Sequence, residues 1–237
     1  MVRARRGVVY VVAKAPRPGA AKTRLCPPLE PEQAARLARA FLLDCLRTVR
    51  EAGLEARVIC RDGAERGQLE AIVARLASVH VQDGAGLGAA MESAFRHGLA
   101  DGYPAVAVFG SDCPTVPPAV LRLAFDALET GADVSLGPSE DGGYYLLAAR
   151  APHSVLFRNM AWSTATVAAE TLARCARAGL RVRLLPRWYD VDDAASLARL
   201  AGDLCAGPAG VAPFTREALA AAQTEQWMAI GRVASSQ

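Results

Sequence analysis

The chain has only three histidines, His80, His97 and His153, and none adjoins an acid of any motif. No Ser-His-Asp or Cys-His arrangement is readable, and the G-x-S-x-G turn is absent. A protein nucleophile is therefore not on offer. Phosphoryl and nucleotidyl chemistry needs positioning and charge neutralisation more than a nucleophile, so the lack favours it. The six cysteines form no C-x-x-C pair and no Cys/His zinc spacing. Several fall on apolar faces, as reduced core residues do, which predicts a cytoplasmic setting. Long hydrophobic runs are missing too. Residues 8–13 are too few for a signal segment or a membrane span, and Lys14 ends them. Net charge is only +3, too weak for nucleic acid and suited to an anionic small molecule. Arg3, Arg5 and Arg6 make the one dense basic cluster, at an N-terminus expected to fray. Internal repeats and low-complexity segments are absent.

What is present is enough for one large α/β domain or two small ones: 237 residues, 52% hydrophobic and 22% charged. The continuous apolar run Val8-Val9-Tyr10-Val11-Val12-Ala13 reads as a strand covered on both faces. From there strands and helices alternate. Strands are predicted over 8–13, 55–61, 79–82, 105–109, 133–136, 143–149 and 181–185. Helices are predicted from 31 to near Gly53, over 64–77, to about 100, over 117–130 and 164–178, and from 194 to 200 with Asp193 as its cap. The alternation predicts a single three-layer α/β/α domain over 1–205 with a mostly parallel sheet. The close strands at 133–136 and 143–149 form a local antiparallel departure. Residues 206–237 read as an Ala-rich helical appendage, loose at 235–237.

The chemistry gathers at strand ends. Asp112, in Gly110-Ser111-Asp112-Cys113-Pro114, follows the fourth strand, where open α/β sheets bind ligands. It is read as a metal ligand, although Ser, Asp and Pro are also ordinary helix-entry residues. After strand one, Lys14, Lys22 and Arg24 surround Gly19 in a loop with two prolines. Such a loop cradles phosphates, or else it is a solvated cationic loop. It is not a Walker A loop, because Ala21 and not glycine precedes Lys22. Gly84, Gly86 and Gly88 open a helix after strand three and could let a nucleotide base or ribose approach the backbone; a NAD fingerprint is disfavoured.

Ser139-Glu140-Asp141-Gly142-Gly143-Tyr144-Tyr145 reads equally as an acceptor-binding loop and a hairpin turn. Ser163 or Thr164 is an expected helix cap that also aims amides at an anion. Asp190 and Asp192 point the same way on an extended segment. Together with Asp112 they suit magnesium (or manganese), a hard cation that keeps water and phosphate in its shell. Their plainer reading is acids near a helix start.

Taken in order, Lys14-Ala-Pro-Arg-Pro-Gly-Ala-Ala-Lys-Thr-Arg-Leu25, Gly110-Ser-Asp-Cys-Pro114, Gly137-Pro-Ser-Glu-Asp-Gly-Gly-Tyr-Tyr-Leu146, Trp162-Ser-Thr164 and Asp190-Val-Asp192 resemble the radical-SAM/selenodomain-associated transferases. These are GT-A-type glycosyltransferase-like proteins. The likeness covers residues 8 to about 200 and implies the GT-A nucleotide-diphospho-sugar transferase fold. Lys-Thr-Arg-Leu and Asp-x-Pro are also similar to motifs of 2-phospho-lactate guanylyltransferases. By that likeness Lys14, Lys22 and Arg24 fall on nucleotide phosphates and Asp112, Asp190 and Asp192 on magnesium. Gly142, Gly143 and Ser163 would face the acceptor, with Asp141, Tyr144 and Thr164 in the same two segments. Lys22 and Asp112 are the expected catalytic pair.

Three readings follow. The leading one is nucleotidyl transfer from an NTP to a small phosphorylated acceptor, with pyrophosphate released. The second is glycosyl transfer from a nucleotide-diphospho-sugar, although Ser111-Asp112-Cys113 lacks the Asp-x-Asp usual in that fold. The third is a non-catalytic nucleotide-binding protein. All make the partners a nucleotide and, for the enzymes, a small acceptor, with no nucleic acid or membrane. A homo-oligomer is compatible with each.

Overall fold

The computed structural model describes residues 6–234; Arg3, Arg5 and residues 235–237 lie outside them. Among the described residues, strands β1 (Val8–Val12), β2 (Glu55–Cys60), β3 (Ser78–Val81), β4 (Val106–Gly110), β5 (Val134–Pro138), β6 (Tyr144–Ala149) and β7 (Val182–Leu184) form one sheet. Its order is β3-β2-β1-β4-β6-β5-β7. β1 runs parallel to β2 and β4, and β5 parallel to β7. β6 is antiparallel to both β4 and β5, the departure expected from their closeness in sequence.

Helices α1 (Pro31–Glu51), α2 (Gly63–Val73) and α4 (Pro118–Glu129) cover one face; α3 (Gly86–Ala100) and α5 (Val167–Arg177) cover the other. The apolar run of β1 explains the double cover. Val9 and Val11 pack with Leu46 of α1 and Phe125 of α4, whereas Val8 and Tyr10 pack with Phe95 of α3. Burying each such side chain contributes about 1.5–3 kcal/mol. α6 (Ala194–Ala206) and α7 (Pro213–Ala234) add a third cluster, in which Leu200 and Leu204 meet Leu25 and Phe41.

Three helix boundaries differ from the sequence reading. α2 stops at Val73, not 77, because Ala74 turns to φ 47°. α5 starts at Val167, not 164, because Ser163 is left-handed at φ 63° and the chain turns before the helix begins. α6 continues past 200 to Ala206, since Leu204 still faces the core. The tail is also tied in. The buried Asp44 of α1 accepts from Phe214 N (3.3 Å), Thr215 N (2.8 Å) and Thr215 Oγ1 (2.7 Å), so a side chain of α1 caps the start of α7. No helix among the described residues is long and apolar enough to cross a membrane.

In the register of β1 and β4, Val12 lies beside Gly110, so the loops after both strands leave side by side. From β1 the chain builds outward to β2 and β3, while β4 leads the other way. Ligand crevices form at such a reversal, outside the carboxyl ends of the strands.

Candidate nucleotide and cation site

The loop after β1 is tightened by Ala20 N and Ala21 N donating to Arg17 O at 3.1 and 3.0 Å. It delivers Lys22 in the left-handed region, at φ 49° and ψ 39°. That conformation costs a non-glycine residue roughly 1–2 kcal/mol, so the surroundings must hold it there. They do so through the ammonium. Lys22 Nζ lies 2.7 Å from Asp112 Oδ1, 2.7 Å from Asp192 Oδ1 and 2.6 Å from Val191 O. Three acceptors use the full donor capacity of an ammonium. Its side chain is only 9% exposed and lies 5.6 Å above the Phe41 ring. Burial alone pulls the Lys22 pKa down, but the charges of Asp112 and Asp192 override it and raise the pKa above its ordinary value. Val191 N donates to Asp112 O at 3.0 Å, so the backbone ties the two acidic segments together.

Asp190 is placed differently. Cys113 donates its thiol to Asp190 Oδ1 at 2.8 Å. Burial pushes the Asp190 pKa up, and the thiol's hydrogen bond opposes it. Burial also raises the Cys113 thiol pKa well above normal, with Asp190 adding to the rise. The structure therefore brings Asp112 and Asp192 together on Lys22 and turns Asp190 onto Cys113. Among the described residues no group of three His, Cys, Asp or Glu side chains is disposed to hold a metal ion. The pair that shares Lys22 still suits one. It is a hard-oxygen pair, already drawn around a cation.

Two cavities meet at this clasp. The smaller, about 380 Å³, is lined by Lys14, Lys22, Thr23, Arg24, Ser111 and Asp112 among others. The larger, about 580 Å³, shares Arg24, Ser111, Asp112 and Asp192 with it and extends toward Trp162. Asp141, Gly143, Tyr144, Ser163, Thr164 and Asp190 also line the larger one. Lys14 and Lys22, expected on phosphates, thus line the smaller cavity, Asp141, Gly143, Tyr144, Ser163 and Thr164, expected near an acceptor, line the larger, and Arg24 lines both.

The wall of the larger cavity is built by close backbone approach. Gly142 sits at φ 90°, and a Cβ there would come 2.0 Å from Ala165 O. Ala168 N donates to Gly142 O at 2.9 Å, fastening the 139–145 loop to the start of α5. Asp141 Oδ1 accepts from Gly143 N at 2.8 Å. Tyr144 and Trp162 meet edge to face, their ring centres 6.3 Å apart. Neither Ser163 nor Thr164 caps α5: Thr166 occupies that position without a capping side-chain bond, and Thr164 Oγ1 donates to Ala161 O at 2.9 Å.

Gly19, Gly86, Gly88 and Gly142 line neither cavity. Gly88 has a packing reason instead, since a Cβ would lie 2.8 Å from both Phe157 O and Trp162 Nε1. Leu87, between Gly86 and Gly88 of α3, is the residue that reaches the larger cavity. Sequence reasoning placed Ser139 and Trp162 in motifs and Leu87 between two loop glycines, but it singled out none of the three. A tryptophan in a polar loop was the available signal for Trp162.

A search of curated protein sequences returned no match. Solved structures do match. A protein from Desulfovibrio desulfuricans G20, described provisionally as a nucleotide-diphospho-sugar transferase, is 28% identical with a TM-score of 0.82; 92% of this chain and 97% of that one are covered. A nucleotidyl transferase from Methanothermobacter thermautotrophicus is 21% identical with a TM-score of 0.56, covering 84% and 98%. The inositol-1-phosphate CTP transferase from T. maritima is 14% identical with a TM-score of 0.54, covering 89% and 95%. The fold is thus the α/β fold of the nucleotide-diphospho-sugar transferases. The model of one family, "Uncharacterized protein conserved in bacteria (DUF2064)", matches residues 45–164, just over half of the sequence, and the chain belongs to that family.

Proposed function

We propose that this chain is a metal-dependent nucleotidyltransferase, moving a nucleoside monophosphate from an NTP to a small phosphorylated acceptor. The observation that carries the reading is the clasp of Asp112 and Asp192 on Lys22 between two cavities, one of them rimmed by Lys14 and Arg24. Lys14 and Arg24 neutralise the triphosphate in the smaller cavity. Asp112 and Asp192 would hold magnesium or manganese, with Asp190 adjoining them; bound there, the ion supplies charge neutralisation and Lewis acidity. An acceptor phosphate oxygen attacks the α-phosphorus as the bond to pyrophosphate breaks, and Lys22 stabilises the charge that develops on the leaving group. The 28% identical neighbour supports a nucleotide-using transferase of this fold. The finer likeness to 2-phospho-lactate guanylyltransferases rests on Lys22-Thr-Arg-Leu and Asp112-Cys-Pro. Pyrophosphate release from an NTP, dependent on both magnesium and a phosphorylated acceptor, is the expected assay result.

Glycosyl transfer is the second reading, favoured by the description of that same neighbour. Release of UDP or GDP from a nucleotide sugar, with no pyrophosphate from any NTP, would establish it in place of the first. Nucleotide binding indifferent to magnesium and to Asp112→Asn would instead mark a non-catalytic binding protein.

A further inference from the structure

The larger cavity has a lopsided polar lining. Four aspartates, Asp112, Asp141, Asp190 and Asp192, face it against a single cation, Arg24. Lys22 balances Asp112 and Asp192. Among the described residues Asp141 and Asp190 have no cation of their own there: Asp141 is anchored by Gly143 N, and Asp190 by the Cys113 thiol with the Ser139 hydroxyl beside it. Carboxylates only accept hydrogen bonds, so they ask for hydroxyl or amine donors and repel a second anion.

Two further observations point to the ligand. Ser139 is 2% exposed and lines this cavity; its hydroxyl lies toward the Asp190 carboxylate but makes no hydrogen bond of ordinary geometry among the described residues. A hydroxyl left unpaired in a buried setting is costly unless something else completes it. Beside it the Tyr144–Trp162 pair offers an aromatic wall. An aromatic face together with convergent polar groups suits a compact ring whose faces are C–H and whose edge is hydroxyl. Arg24, which lines both cavities, is where a phosphate would sit.

We infer that the acceptor is a phosphorylated sugar or polyol, its hydroxyl- or amine-bearing body held by Asp141, Asp190 and Ser139, and not a phosphorylated carboxylic acid. The inference rests on the nucleotidyl reading above and names its acceptor class. A carboxylate on the acceptor body would face Asp141 and Asp190 with no cation to meet it.

The test is calorimetry on the full chain with magnesium and each NTP, followed by titration of the nucleotide complex with glucose 1-phosphate, glucosamine 1-phosphate, 3-phosphoglycerate and phosphoenolpyruvate. The sugar phosphates are expected to bind at least tenfold more tightly than the phospho-acids. Ser139→Ala should weaken sugar-phosphate binding by about three- to tenfold, the worth of one neutral hydrogen bond. It should leave the melting temperature and NTP affinity unchanged, which a purely structural serine would not. Tighter binding of the phospho-acids with NTP binding intact overturns this inference alone. Unchanged sugar-phosphate affinity in Ser139→Ala overturns it too. Failure of every NTP to bind removes the nucleotidyl reading and this inference with it.

Discussion

Lys22 donates to Asp192 across 170 residues of sequence, Nζ to Oδ1 at 2.7 Å. The same ammonium holds Asp112, so a single side chain joins the loop after β1 to both acidic segments.

Removing it tests the clasp. Lys22→Ala leaves two carboxylates facing each other without a cation. The expected loss is about 1.5–3 kcal/mol of stability, the range for hydrogen bonds to charged groups, toward its low end because both aspartates are partly exposed. NTP affinity should fall as well. Magnesium should raise the melting temperature of the variant more than that of the parent. Equal nucleotide affinity by calorimetry would remove Lys22 from the phosphate site.

Asp112→Asn separates chemistry from folding. The amide oxygen can still accept from Lys22, and the side chain is 42% exposed, so stability should change by less than about 1 kcal/mol. Turnover should fall by roughly 10²–10³, as when one group that stabilises transition-state charge is lost. A large drop in melting temperature with turnover intact would sink the ligand role.

Asp44→Ala addresses the tail. Three donors, from Phe214 and Thr215, converge on that buried carboxylate. Leaving them unpaired should cost about 2 kcal/mol, and Asp44→Asn should cost less because its carbonyl still accepts. Urea denaturation reads both, and equal midpoints for the parent and Asp44→Ala would show that α7 is not held this way.

Acid should destabilise the fold through His80. Burial, then the positive charge of Arg57, holds its pKa below the ordinary 6.5. The unfolded chain therefore takes up a proton that the folded chain resists. Stability is full above about pH 6.5 and declines as pH falls from there toward the folded value. His153, lowered chiefly by burial, acts in the same direction. Melting temperature followed from pH 7.5 to 5.5 should fall, and His80→Gln should flatten the slope.

The sheet was legible because its central strands are buried on both faces, and the run at 8–13 has no charged residue to confuse the period. The antiparallel placement of β6 was legible from chain length, since 139–143 is too short for a crossover. Helix ends were less so. Ala74 and Ser163 adopt left-handed turns that neither residue type announces. The strand-end acids and cations were visible in the sequence, but the direction of the Lys22 side chain was not. Spacing tells that a lysine lies in a loop; it does not tell whether it turns to phosphate or to carboxylate. Asp44 went unread for a similar reason: it sits between Leu43 and Cys45, and its partners come from the far end of the chain.

The backbone bond from Val191 N to Asp112 O has a consequence for how the protein is made. Synthesis runs from the N-terminus, and a nascent chain holds the loop after β1 and Asp112 long before Asp192 exists. Until the 190–192 segment emerges, Lys22 lacks two of its three acceptors and the left-handed turn beneath it lacks much of its support. The clasp is thus completed only once the 190–192 segment has emerged, and a ribosome-stalled chain that stops short of residue 190 should carry most of the sheet but no cation clasp.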